Sequence, residues 1–161
     1  QTWGYIRSLE LDWAYIFCAL PLPGTKLWEI WKREGYFHED TYDFDTLRHG
    51  RRIFDTPEIS AKDLEDLVYD ANIDVNFFNN TNFHQGKYEI AVRKWDKMVN
   101  DPYPFHIVGR YCRGLSMEKI DNFEAAEEDY KACVGLIQSD GEANRLFERY
   151  KNKMPNLENY M

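Results

Sequence analysis

Basic blocks, long apolar runs and cysteines are all scarce in this chain. Its 161 residues hold 20 Lys and Arg against 28 Asp and Glu, a net charge of -8 spread without a cationic cluster that would capture nucleic acid or an anionic bilayer. No apolar run approaches the roughly 18 residues of a membrane span, and Gln1–Arg7 lacks the apolar core of a signal peptide. A soluble protein with neither nucleic-acid nor membrane partners is expected. Cys18, Cys112 and Cys133 are an odd number and far apart, matching neither a secreted disulfide framework nor a close metal spacing. A reducing cytoplasm is the expected setting, where the glycosylation triplet Asn79-Asn80-Thr81 has no meaning. His38, His49, His84 and His106 never stand at ligand spacing on one helix face, and the adjacent His38-Glu39-Asp40 cannot all face one ion. Phosphate loop, serine elbow and cysteine–base pair are also missing, so no catalytic residue is expected within the chain. Acid runs such as Glu39–Asp45 and Glu124–Asp129 are expected to be solvated faces.

Aromatics are plentiful instead, with 5 Trp, 11 Tyr and 10 Phe to fill a core or line a site. The run Asp12–Leu20, part aromatic and part β-branched, predicts a short buried strand that Pro21 and Pro23 end. Pro21-Leu22-Pro23-Gly24-Thr25 then predicts a stiff turn. Both prolines forbid helix, Gly24 admits unusual backbone angles, and the Thr25 hydroxyl can cap a helix carrying Leu27, Trp28, Ile30 and Trp31 that ends at Gly35. Residues 36–57 lack a sustained period and predict a loop lying on the body. From Ser60 onward the pattern is helical: a helix to about Asn79, then roughly 86–100, 104–119, 122–138 and 141–153.

Two of these helices repeat. Tyr88, Ala91, Trp95 and Val99 correspond to Phe123, Ala126, Tyr130 and Val134 at an offset of 35 residues, against about 34 for a tetratricopeptide repeat. Ala at the second position admits a close neighbour, and the aromatic one turn later fills the space beside it. Gly114, twelve residues before Ala126, supplies the small residue of a leading helix, whereas Asn79 stands at the matching place before Ala91. The second repeat thus resembles a tetratricopeptide hairpin throughout and the first only in its second helix. Residues 141–153, with Ala143, Leu146, Phe147 and Tyr150 on one face, predict a capping helix. Arg110, Tyr111 and Arg113, on the leading helix of the second repeat, are the candidate partner contacts of such a module.

The stretch Leu11–Gly35, through the Pro-x-Pro-Gly-Thr turn, resembles the late barrel segment of radical S-adenosylmethionine enzymes, especially those with a cobalamin-binding domain. The likeness covers residues 1–57 and implies a last barrel strand, a turn at Pro21, Leu22, Pro23, Gly24 and Thr25 lining the cofactor, and a helical extension over 58–161. Such enzymes hold a [4Fe-4S] cluster with a Cys-x-x-x-Cys-x-x-Cys loop, which Cys18, Cys112 and Cys133 cannot form. The resemblance therefore implies a piece of a longer chain, in keeping with Gln as the first residue, and inert alone. The parent would use the cluster, S-adenosylmethionine and in some members cobalamin. Its partners would be the upstream domains, or a second copy paired through the exposed strand. The expected fold is mainly α: antiparallel, tetratricopeptide-like helical hairpins with one short N-terminal strand left from a partial β/α barrel. The alternative function is a tetratricopeptide-like interaction module.

Overall fold

The computed structural model describes residues 2–36, 55–101 and 103–161. The expected loop lies mostly outside these residues, as do His38-Glu39-Asp40 and His49. Among the described residues the protein is mainly helical. The helices are α1 Thr2–Ser8, α2 Lys26–Arg33, α3 Ala61–Ile73, α4 Thr81–His84, α5 Tyr88–Asn100, α6 Ile107–Lys119, α7 Phe123–Ser139 and α8 Gly141–Tyr150. A π-helical turn follows α3 at Asp74–Phe78, and short 3-10 turns at Lys151–Lys153 and Pro155–Tyr160 follow α8.

The chain forms two compact units, one of Gln1–Trp13 with Ile73–Met161 and one of Ala14–Asn72. In the first, the larger unit, α6 lies between α5 and α7. Gly109 of α6 faces Met98 and Val99 at the end of α5, and Arg113 reaches back to Asp96. On its other side Gly114 faces the Tyr130 ring, where a Cβ would stand 2.8 Å from Cε1, and the Cys133 thiol donates to the Ile107 carbonyl. Small residues thus bring α6 close to both neighbours. Ala91, Trp95 and Val99 of α5 and Ala126, Tyr130 and Val134 of α7 are all buried, so the repeated positions occupy the core. Phe123 is 62% exposed and breaks the correspondence with half-buried Tyr88. Ala143, Leu146 and Tyr150 of α8, with Met154 and Leu157 beyond it, complete the same core.

The predicted strand is not formed. No strand occurs among the described residues, and residues 13–22 run without regular structure. A strand exists by pairing with a neighbour, and the partial substitute here is a side chain: the Asn72 carboxamide accepts from Ile16 N (3.0 Å) and donates to Ile16 O (2.8 Å). These two bonds reproduce the exchange that an adjacent backbone would make. In the same Ala14–Asn72 unit, Trp28 and Trp31 bury one face of α2 with Leu27 and Tyr36. Ser60 caps α3, its hydroxyl accepting from Asp63 N (3.0 Å) and donating to the Asp63 carboxylate.

Candidate functional site

Pro21–Thr25 forms the expected turn. Gly24 has φ +80°, the left-handed region that glycine alone enters without strain, and a Cβ there would meet nothing within 4 Å. The Thr25 hydroxyl caps α2 by accepting from Trp28 N (3.2 Å) and donates to Leu22 O (2.6 Å). Pro21 is buried, while Leu22, Pro23, Gly24 and Thr25 are exposed. With its one hydroxyl committed inside the turn, only backbone groups and apolar surface remain to meet a ligand.

Arg110, Tyr111 and Arg113 sit together at the seam of α5, α6 and α7, but they are engaged within it. Tyr111 is 2% exposed, and burial pushes its hydroxyl up to about 12. Arg113 grips both oxygens of Asp129 (2.8 and 2.6 Å) and reaches Asp96 (2.6 Å). Hydrogen bonding to Asp129 raises the guanidinium above its ordinary value despite the burial that opposes it. Arg110 donates to Pro104 O and Val99 O. Asp129, expected on a solvated acidic face, is 2% exposed and is the buried counter-charge of this network. Only the alternation of burial around α7, set by tertiary packing, turns it inward.

A concavity of the larger unit lies at the π-helical turn. The Asn79 amide N–H bonds to Asp74 O (2.7 Å), five residues back, which widens the turn. Successive side chains diverge by about 100° on an α-helix and by less on this wider turn. Phe77 and Phe78 consequently both line one cleft of about 320 Å³, with Phe83, Trp95, Cys112 and Leu115 on its walls and Asn79 and Lys153 beside them. Phe77 and Trp95 stack with centroids 6.4 Å apart, and the Lys153 ammonium stands 4.9 Å from the Phe78 ring centre.

Behind the turn, Asp74 is 3% exposed and gathers donors from across the unit. It accepts from Trp3 Nε1 (2.6 Å), Arg7 Nε and Nη2 (2.7 and 2.6 Å) and Asn79 Nδ2 (2.6 Å), with Lys153 Nζ at 3.6 Å. Burial pushes the carboxyl up, but the hydrogen bonds from Arg7, Trp3 and Asn79 and the Arg7 charge outweigh it and hold Asp74 below its ordinary value. Asn80 caps α4 through Phe83 N, while Asn80 and Asn82 both donate to Asp12. Asn79 of the glycosylation triplet is thus committed to Asp74.

The described lining offers little acid–base chemistry. Burial pushes the Cys112 thiol far up and Cys133 to about 12, so both stay protonated. His106 stacks on Phe77 with centroids 4.9 Å apart and accepts from Gly109 N, and burial lowers it to about 4. It is neutral near pH 7. No group of three His, Cys, Asp or Glu able to hold a metal occurs among the described residues. No described helix is long and apolar enough to cross a membrane.

Sequence reasoning missed Arg7, Asp74, Phe77 and Lys153. The available signal was Asn76, Asn79, Asn80 and Asn82, polar residues crowded where a helical period demands apolar ones. No family model matches the chain, nor does any curated protein or solved structure.

Proposed function

We propose that this chain is the carboxyl-side part of a radical S-adenosylmethionine enzyme, contributing a barrel segment at its start and a helical accessory unit after it. One observation carries the reading. Over residues 15–20 exposure alternates with a period of two: Tyr15, Phe17 and Ala19 face outward, while Ile16, Cys18 and Leu20 are buried or half-buried. The Tyr15 and Phe17 rings stack with centroids 6.0 Å apart, as side chains two residues apart on an extended backbone do. Together with the carboxamide held against Ile16, this alternation supports reading residues 15–20 as extended backbone open to a pairing neighbour. The Pro21–Thr25 turn follows directly and would present backbone groups to the parent's cofactor. The parent's upstream domains would bring the [4Fe-4S] cluster, S-adenosylmethionine and any cobalamin, and this chain alone would be inert.

The tetratricopeptide-like interaction module is the second reading, favoured by the repeated burial at Ala91, Trp95 and Val99 and at Ala126, Tyr130 and Val134. Its second hairpin would be α6 with α7, with α5 as the second helix of the first repeat and α8 as the cap. Reading the coding sequence upstream of Gln1 separates the two. A Cys-x-x-x-Cys-x-x-Cys motif there supports the enzyme. Its absence, with further repeats of about 34 residues, would overturn that reading in favour of the module.

A further inference from the structure

The cleft at the π-helical turn has a shape and a charge that together specify a ligand class. We propose that it binds a flat, two-ring aromatic acid, with the rings against the half-buried Phe78, Phe83 and Leu115 and the carboxylate at Lys153. This goes beyond the enzyme and module readings and depends on neither.

Size sets the body of the ligand. A cavity of about 150 Å³ lined by apolar side chains takes one benzene ring, and this cleft has about 320 Å³. Its walls are aromatic, and rings favour offset-stacked or edge-on partners.

Charge sets the head. Among the described residues lining this cleft, Lys153 is the one that carries a charge. Asp74 does not need it: an ionised carboxylate has about four acceptor sites, and Arg7, Trp3 and Asn79 fill them at 2.6 to 2.7 Å. Lys153 stands at 3.6 Å, beyond a well-formed hydrogen bond. Arg7, Asp74 and Lys153 therefore sum to one surplus positive charge beside an apolar wall, and its complement is a single anion.

The test titrates the whole chain with 2-naphthoate and with its neutral analogue 2-naphthamide, by calorimetry and by NMR. Naphthoate is expected to bind in the micromolar to millimolar range and about tenfold more tightly than the amide. Lys153→Met, at a half-exposed position, is expected to erase that preference while leaving amide binding in place. Leu115→Trp, which fills the cleft, is expected to abolish both. Failure of naphthoate to bind at millimolar concentration, equal affinity for the two probes, or an unchanged preference in Lys153→Met would each overturn the proposal. Undiminished binding to a folded Leu115→Trp would do the same. Should Leu115→Trp not fold, the two probes and Lys153→Met still decide the matter.

Discussion

A methyl group at Gly114 would stand 2.8 Å from Cε1 of Tyr130, a ring only 1% exposed and unable to swing away. Alanine gains up to about 1 kcal/mol of helix propensity over glycine, but overpacking a core costs about 1–3 kcal/mol. Gly114→Ala is therefore expected to lower stability in urea denaturation. Gly135→Ala on α7, where a Cβ meets nothing within 4 Å, is expected to raise it by up to about 1 kcal/mol. Two substitutions of one kind should thus have opposite signs, and equal effects would contradict the close approach of α6 and α7. His106 gives a pH signature. Its imidazole titrates near 6.5 in the unfolded chain and about 4 in the fold, so between those values the unfolded state binds more protons. Stability is full above pH ~6.5 and falls as the pH drops towards 4, by roughly 3 kcal/mol in all. Asp74, held below the usual carboxylate range, adds a loss that begins only below the unfolded value of about 3.9. His106→Phe should remove the upper part of the acid slope and leave the lower, as measured by thermal melts across pH.

The π-helical turn is the element on which the larger unit is organised. It places a buried carboxylate where α1 can be held through Trp3 and Arg7, and it frees Asn76 O to accept from Trp95 Nε1 (3.0 Å). Removing that carboxylate leaves Arg7 and Lys153 facing each other across apolar wall. Asp74→Ala is expected to cost about 2–3 kcal/mol and to release Thr2–Ser8, seen as faster amide exchange there than in α7. Slow exchange retained in α1 would contradict this anchoring. The helices α5 to α8 were legible in sequence because their apolar residues recur every three or four positions with Asn, Asp and Pro at the breaks. Asn122 and Asp140 do cap α7 and α8 as those breaks suggest. The π-helical turn was not legible, since one extra residue in a turn leaves no periodic trace. The cleft depends on that residue and was hidden with it. The strand failed for another reason: a run such as Asp12–Leu20 encodes extended backbone and a buried face, but pairing belongs to a neighbour whose residues lie elsewhere.

At the scale of the whole molecule the two units differ in what they ask of other chains. The larger closes its core from its own helices, with Trp95, Tyr130, Met154 and Leu157 all below 2% exposure. The Ala14–Asn72 unit buries two tryptophans on α2 and leaves Tyr15, Phe17 and Leu22 exposed at 75%, 55% and 48%. That imbalance is the physical content of the proposal that the Tyr15–Leu20 segment completes a sheet belonging to a larger enzyme. It is tested most directly by purifying the natural full-length polypeptide without oxygen and following S-adenosylmethionine under a strong reductant. The account predicts the charge-transfer absorbance of a [4Fe-4S] cluster and release of 5′-deoxyadenosine, neither given by residues 1–161 alone. A full-length polypeptide with no cluster and no cleavage would contradict it.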